Sequence, residues 1–490
     1  MLKINHEKTV GILSIMLGVL FVVFFFEHKI GISYTIYTII LVGYYYFALH
    51  IKKEFKSKVY IGGTIYIILL SSVFFRSDLM IFRIFNFIII PIFLCANVML
   101  SLDVDLRLIV SNTLGIIFVP IGKMHKLFVV LFNKKKKNST NNTQILVKVL
   151  MGIVISIPAL FIVISLLTSA DVVFADKLSN IVSSSENILQ RDIIIKVLLG
   201  IIVATYFFGQ IYYIFHDTNK KNSVDTEEND DNITKYKGFD RIITITFISI
   251  LDIVYLSFCM IQFIYLFGGN NDLPAGYTYA DYAREGFFQL VFLSVINIIL
   301  IYIINKFYLG IKINTDISIR DNNYRKDIVV SYLLFTMVIC TFVLIISSMY
   351  RLNLYEEAYG YTRLRLLVYM FIIFESVIMI LVAINIWNKK LPITRVALIV
   401  ALSSYLIINF INIDGIIAKE NINRYVATGK IDLQYLIDLS TDAADEISKL
   451  QHIDKEMYNE YRENLIKYKL KDTKWQSFNL SQYNVKKLIE

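Results

Sequence analysis

The feature that most constrains this chain is a series of long apolar runs, each close to the length that a helix needs to cross a lipid bilayer. The hydrocarbon core is about 30 Å thick, and a helix covers it with about 20 apolar residues. Only 18% of the 490 residues are charged, 56% are hydrophobic, and 5 Pro and 20 Gly leave few breaks between the runs. This composition excludes a soluble enzyme, a disordered chain and a fibrous protein, and it predicts an all-α integral membrane protein.

Eleven segments reach or nearly reach spanning length. They are Val10–Phe26, Gly31–Leu49, Tyr60–Phe75, Ile81–Leu100, Ile145–Thr168, Asp192–Phe215, Ile242–Phe267, Phe287–Tyr308, Ile328–Ser348, Leu366–Trp387 and Ile393–Phe410. A further stretch, Leu106–Phe132, has basic residues and Pro120 among its apolar residues. We expect it to lie flat at the membrane surface as an amphipathic helix, which leaves about eleven transmembrane helices.

The positions of Lys and Arg predict the orientation of these helices. Loops on the cytoplasmic side of a membrane collect basic residues. With the N-terminus inside, the inner loops hold about three times as many Lys and Arg residues as the outer loops. An odd number of spans then places the C-terminal tail on the outer side.

Changes in polarity divide the chain into five predicted regions. They are a four-span region with the interfacial helix and a Lys-rich inner loop (1–144), a two-span unit (145–216), a disordered cytoplasmic linker (217–240), a five-span region with patterned outer loops (241–410) and a small extracytoplasmic helical tail (411–490). The linker is predicted because its stretch DTNKKNSVDTEENDDN contains one large apolar residue, Val224.

The tail is expected to form short helices. Asp432 can cap Leu433–Leu439, and Ser440 or Thr441 can cap a second helix that continues through Leu450. A tail of this size cannot build a large core of its own, so we expect it to pack on the outer loops.

Two carboxyl side chains, Asp252 and Glu375, are predicted near the centres of their spans. A charged group at that depth costs about 2.5–3.5 kcal/mol on insertion scales. Such residues face the interior of a helix bundle, and function is the default hypothesis for them. A purely structural, hydrogen-bonded role is the alternative. Gln262 and Gln289 are weaker polar candidates.

Charged residues also collect in two predicted outer loops, GYTYADYAREGFFQL and YRLNLYEEAYGYTRLR. The candidate site residues there are Asp281, Arg284, Glu285, Arg351, Glu356, Glu357, Arg363 and Arg365. In the first loop Thr278 and Asp281 form a capping box. In the second, Gly360 supplies a turn and Thr362 a helix cap. Capped helix ends with surface ion pairs account for this pattern, and a charged outer-face site is the alternative.

Motifs of catalysis and of metal binding are absent from the sequence. There is no HExxH, GxSxG, P-loop or GxGxxG pattern. The 3 Cys residues lie inside apolar runs, so neither a disulfide framework nor a zinc site is predicted. No metal or cofactor is therefore expected, and an enzyme is not favoured. The net charge of +9 comes from basic residues at the ends of spans, so the lipid bilayer, and not nucleic acid, is the expected partner.

Four separated motifs carry a resemblance to known proteins. In chain order they are YTYADYAREGFFQL, LNLYEEAYGYTRLRL, NIDGIIAKENINRY with GKIDLQYLIDLSTDAADEI, and KWQSFNLSQYNV. Through them, roughly residues 180–490 resemble the bacterial multi-pass membrane proteins of the domain-of-unknown-function 4173 and 4153 type. The resemblance implies a bacterial cytoplasmic membrane protein with a polar C-terminal end. It implies no established activity, substrate or cofactor.

Three functions remain open at this point. The patterned outer loops and the lack of catalytic motifs favour an envelope scaffold or sensor that binds a protein partner or a small ligand. An ion-coupled transporter that uses Asp252 and Glu375 is the first alternative, although Pro91 and Pro158 do not form the matched helix breaks that carriers commonly show. A membrane enzyme acting at the outer leaflet is the second alternative.

The charge bias gives a first prediction, which concerns sidedness. Cysteines introduced at Lys135 and Ser223 should react with a membrane-impermeant thiol reagent only after lysis, because these positions are predicted to be cytoplasmic. Cysteines near Ala283, Ala358 and Ser477 should react in intact cells. Labelling of a cysteine near Ser477 only after lysis, with Ala358→Cys labelled in intact cells, would contradict the eleven-span topology.

Overall fold

The computed structural model describes residues 2–102, 109–132, 188–216, 241–263, 286–309, 327–469 and 474–489. In these ranges all the regular elements are helices. Ten helical stretches of the described chain are long and apolar enough to cross a membrane, and each coincides with a predicted span. The remaining predicted span, Ile145–Thr168, lies outside the described residues. The chain is therefore an all-α, multi-pass membrane protein.

The helices form two compact units. In chain order they are α1 (Leu2–Phe25), α2 (Ile32–Leu49), α3 (Ser57–Ser71), α4 (Val73–Arg76), α5 (Met80–Ser101), α6 (Ile109–Phe118), α7 (Lys126–Phe132), α8 (Ile188–His216), α9 (Arg241–Gln262), α10 (Phe287–Ile304), α11 (Ile328–Tyr359), α12 (Arg363–Trp387), α13 (Ile393–Phe410), α14 (Ile413–Thr428), α15 (Leu433–Asp438), α16 (Ala444–Ile447), α17 (Leu450–Ile453), α18 (Lys455–Asn464) and α19 (Leu480–Ile489). The first unit contains α1–α8 and residues 474–488, and the second contains residues 241–469. The predicted tail, 411–490, thus contributes to both units.

Glycine lets α1 pack directly on α8 in the first unit. A Cβ atom at Gly18 would overlap the carbonyl oxygen of Gly200 on α8. Small residues at a crossing let two helix backbones approach closely, which favours helix association in lipid. A tyrosine hydroxyl reinforces this packing, since Tyr44 Oη lies 2.7 Å from Ser14 Oγ on α1 and donates to the Phe207 carbonyl of α8 at 3.3 Å.

The predicted interfacial helix Leu106–Phe132 is not one continuous helix. Within its described part, 109–132, a 3₁₀ turn at Val119–Lys123 separates α6 from α7. Pro120 has no N–H to donate and its ring clashes with the preceding turn of an α-helix, so α6 ends before it. The segment packs on α8, where Gln210 Nε2 donates to the Ile116 carbonyl at 3.3 Å.

Contacts at the helix ends identify the two faces of the first unit. The amide of Lys56, which follows α2, donates to the Ser101 carbonyl at 2.7 Å, so α2 and α5 end on the same face. On the opposite face, Lys196 Nζ of α8 lies 3.8 Å from Glu27 Oε2, just after α1. The N-terminal part of α8 therefore lies on the face opposite to the end of α5. The span that the sequence predicts between α5 and α8, Ile145–Thr168, is the one outside the described residues.

At one end of the second unit, hydrogen bonds to Asp327 join three helices. We call this group of Asp327, Arg241 and Tyr308 the Asp327 clasp. Asp327 caps α11 by accepting from the Val330 amide at 3.4 Å, and its Oδ2 accepts from Arg241 Nε and from the Tyr308 hydroxyl, both at 2.7 Å. The hydrogen bond from Arg241 favours the ionised carboxylate and lowers the pKa of Asp327 to about 2. The clasp therefore holds the start of α9, the end of α10 and the start of α11 together. The apolar core that α9–α12 share begins next to it.

The tail helices of the second unit follow the predicted caps in part. Asp432 accepts from the Tyr435 amide at 3.0 Å and begins α15, which confirms that prediction. The prediction of one helix from Ser440 or Thr441 through Leu450 is wrong, because that stretch forms a 3₁₀ turn at Thr441–Ala443 followed by the short helices α16 and α17. The Ser440 hydroxyl donates to Asp442 at 3.3 Å instead of capping a helix.

The α1–α8 crossing gives a prediction for stability. Gly18→Ala should lower the apparent melting temperature of the protein in detergent, since forcing a methyl group against backbone costs about 1–3 kcal/mol. Gly43→Ala is the matched control, because a Cβ there meets no described atom within 4 Å. It should be neutral or slightly stabilising. Equal melting temperatures for the two variants would show that the helices do not cross at Gly18.

Candidate functional site

Helix α9 places Asp252 inside the second unit. The buried residues of α9 recur every three or four positions, which is the period of one helix face. They are Thr244, Ile248, Asp252, Tyr255, Cys259 and Gln262. The next two residues, Ile253 and Val254, are exposed on the opposite face. Asp252 itself is 4% exposed, so its side chain faces protein, as predicted.

The carboxyl group of Asp252 is buried without a hydrogen-bonding partner in the described chain. Both of its oxygens are inaccessible, and neither forms a hydrogen bond with any residue in the described ranges. Leaving a buried polar group unpaired costs about 1–3 kcal/mol, and more when the group is charged. Ionisable residues kept inside a span at such a cost mark ion or proton pathways.

Hydrogen bonds connect α9 to two neighbouring helices one turn beyond Asp252. The Tyr255 hydroxyl donates to Asn297 Oδ1 on α10 at 2.6 Å. Asn297 Nδ2 donates in turn to Thr341 Oγ1 on α11 at 3.1 Å. The three side chains are buried within the apolar core of the unit.

Glu375 on α12 joins this arrangement through α10. Ser294, one turn from Asn297, has its Oγ 2.6 Å from Glu375 Oε1 and 2.7 Å from the Val291 carbonyl. The Ser294 hydroxyl therefore donates to one oxygen of the Glu375 carboxyl group. Glu375 is 2% exposed, and its Oε2 has no hydrogen-bonding partner in the described chain.

These six side chains lie near the middle of α9–α12 and are called the polar belt. The belt consists of Asp252, Tyr255, Asn297, Thr341, Ser294 and Glu375. Asn297 is paired with Tyr255 and Thr341, and Ser294 with Glu375, whereas both carboxyl groups keep at least one oxygen without a described partner. The belt therefore holds two groups that can gain or lose a proton inside the membrane.

Another buried carboxyl group lies near the C-terminal end of α11. Glu356 is 1% exposed, bonds to the Tyr369 hydroxyl and has no described partner for Oε1. Closer to the belt, Gln262 Oε1 accepts from the Ser347 hydroxyl at 2.7 Å and from Arg351 Nη2 at 3.3 Å. Gln262 and Arg351 thus belong to a polar layer between the belt and the end of the bundle at which α9 and α11 end.

Arg363 ties the start of α12 to the tail. Its Nε donates to Asp414 Oδ1 at 2.7 Å and its Nη2 to Asp414 Oδ2 at 2.6 Å. Asp414 is fully buried at the start of α14 and also accepts from the Ser440 amide at 2.6 Å. A bidentate guanidinium–carboxylate pair fixes both distance and orientation. We call this pair the Arg363–Asp414 clamp.

The remaining outer-loop candidates that the structure describes have separate partners. Arg365 donates to the Gly360 carbonyl and lies 3.9 Å from the Tyr355 ring centroid, so its hydrogen bond is to backbone. Glu357 accepts from Asn353 at 2.8 Å on an exposed surface, and Gln289 is exposed. Asp281, Arg284 and Glu285 lie outside the described residues.

The neutral members of the belt are not among the candidate residues predicted from the sequence. The sequence does contain a pattern that could have predicted them. Ser294 and Asn297 are three residues apart in a largely apolar run, and Tyr255 follows Asp252 by three residues. Polar residues that repeat with the helical period inside a span share one face. Asp414 carries no comparable signal, since it stands in a polar tail.

The clamp gives a prediction for the tail. Arg363→Ala leaves the buried Asp414 carboxylate without its cation, so it should weaken docking of the tail by roughly 1–3 kcal/mol. Faster tryptic cleavage between Lys430 and Lys467 measures this effect. Arg395→Ala, a substitution of an exposed arginine, is the control and should leave cleavage unchanged. Identical cleavage of the two variants would exclude the clamp as the element that holds the tail.

Comparison with known proteins identifies the family. No curated protein and no solved structure matches the chain. A family model described as Domain of unknown function (DUF4153) matches residues 64–450. The match includes the polar belt and the Arg363–Asp414 clamp. Because it covers well over half of the sequence, the chain belongs to this family of uncharacterised domains.

Proposed function

We propose that the protein is a proton-coupled carrier in which Asp252 and Glu375 take up and release the coupling proton. The observation that supports this most directly is the buried Asp252 carboxyl group, whose oxygens have no described hydrogen-bonding partner. A scaffold gains nothing from such a group, since an apolar side chain of similar size would fill the same space without the desolvation cost. A proton carrier requires it.

Glu375 supports a proton as the coupling ion. Its Oε1 accepts from the Ser294 hydroxyl at 2.6 Å, whereas its Oε2 is buried without a described partner, so a proton bound there removes the charge from a buried position. Divalent cations such as Ca²⁺ and Mg²⁺ need about six or more oxygen ligands. In the described ranges no group of three or more Asp, Glu, His or Cys side chains converges on one point. A single carboxyl group suffices for a proton.

Proton flux into liposomes tests the proposal. Full-length protein is reconstituted with an internal pH dye, and a potassium diffusion potential drives proton entry. We expect flux above that of protein-free liposomes, and at least a tenfold loss in Asp252→Asn and in Glu375→Gln. Asp445→Asn and Glu463→Gln remove exposed carboxylates of the tail and should retain the flux.

Two results would contradict the carrier. One is flux in Asp252→Asn equal to that of the wild type, and the other is wild-type flux equal to that of protein-free liposomes. Infrared spectra of the same samples give a second measure. The carbonyl band of a protonated carboxyl group should change with pH in the wild type and lose intensity in both variants.

The second candidate is the scaffold or sensor, which the Arg363–Asp414 clamp supports. The clamp joins a span directly to the tail, so a ligand bound to residues 411–469 could act on α12 without an intervening flexible segment. This function requires the clamp and does not require Asp252. Loss of a cellular phenotype in Arg363→Ala together with a normal phenotype in Asp252→Asn would favour it over the carrier.

A further inference from the structure

The last of the four sequence motifs, KWQSFNLSQYNV, is bound to the first unit. Gln476 Nε2 donates to the Val23 carbonyl at 3.3 Å near the end of α1. The Ile32 amide, at the start of α2, donates to the Phe478 carbonyl at 3.0 Å. The Trp475 ring meets the Phe24 ring edge-on, with centroids 5.4 Å apart. The motif thus binds the α1–α2 connection through backbone and side-chain contacts.

Asn479 anchors the motif to a second connection, between α4 and α5. Its Nδ2 donates to the Phe74 carbonyl at 3.1 Å and to the Ser77 carbonyl at 2.8 Å. Its Oδ1 accepts from the Gln482 amide at 3.2 Å and caps α19. Asn479 is 3% exposed, so one buried side chain holds two helix-end carbonyls and starts the helix that follows. No aliphatic or acidic residue of similar size could make both donor contacts.

Arg83 joins the two connections into one receptor. Its Nη1 donates to Asp78 Oδ1 at 2.8 Å, and its Nη2 donates to the Ile30 carbonyl. The other oxygen of Asp78 accepts from Gln482 Nε2 at 3.1 Å. At the centre, a Cβ on Gly31 would overlap the Ser477 backbone, so this position has no room for a side chain. Shape and hydrogen bonds thus fit the C-terminal segment.

We propose that residues 474–489 are a docking peptide and that the α1–α2 and α4–α5 connections are its receptor. Residues 241–469 belong to the second unit, and only four residues separate Lys469 from Lys474. The docked segment therefore gives the chain a second attachment between its halves, in addition to the linker 217–240. The halves remain associated through this segment when the linker is cut.

Cleavage of the full-length protein tests this attachment. A specific protease site is inserted within residues 217–232, different affinity tags mark the two termini, and the protein is cut after purification in detergent. We expect the two wild-type fragments to copurify. Asn479→Ala should reduce the copurified fraction at least fivefold, whereas Asn484→Ala should not, because Asn484 is exposed in the same segment.

Hydrogen exchange distinguishes undocking from general unfolding. In uncut Asn479→Ala, exchange of the Ile32 amide, which donates to Phe478, should accelerate at least tenfold while amides of α9–α12 remain protected. Copurification of the cut Asn479→Ala fragments at the wild-type level would overturn the proposal. So would separation of the cut wild-type fragments, or an unchanged exchange rate at Ile32.

Discussion

Every polar group that this chain carries into the hydrocarbon must find its partner within the protein, because lipid offers none. Helices meet that requirement for the backbone, and most polar side chains meet it locally. Ser14, Thr38 and Thr205 return their hydroxyl hydrogens to carbonyls one turn earlier in their own helices. Against this background Asp252 is an exception, because neither of its oxygens has a hydrogen-bonding partner in the described ranges.

The two units meet the requirement in different ways. In the first unit, tyrosine hydroxyls reach from α2 to neighbouring helices, as Tyr44 does to Ser14 and Phe207 and Tyr45 does to Gln210. These bonds join neutral groups. In the second unit the belt mixes neutral bonds with two carboxyl groups. A structure that must change protonation needs such incomplete pairing, whereas a structure that only holds its shape does not.

The spans could be read from the sequence because hydropathy and length are local properties of a segment. Asp252 and Glu375 stood out for the same reason, as isolated charges in apolar runs. The partners of charged residues could not be read in this way. Arg363 pairs with Asp414, 51 positions away, whereas Arg365 donates to a backbone carbonyl. The two arginines are alike in the sequence, and only the folded position of the tail decides which of them meets a carboxylate. Likewise, Asn479 reaches carbonyls more than 400 positions earlier.

Helix α11 has a consequence for the way the protein responds to its bilayer. Its 32 residues extend about 48 Å at 1.5 Å per residue, against a hydrocarbon thickness of about 30 Å. Both ends are fastened, by Asp327 at one and by the paired hydrogen bonds of Tyr361 and Asn421 just beyond the other. The 18 residues of α13 extend only about 27 Å. A thicker membrane therefore leaves both ends of α11 in water but exceeds the length of α13, so mismatch concentrates at α13, where the bilayer thins locally or flanking residues snorkel.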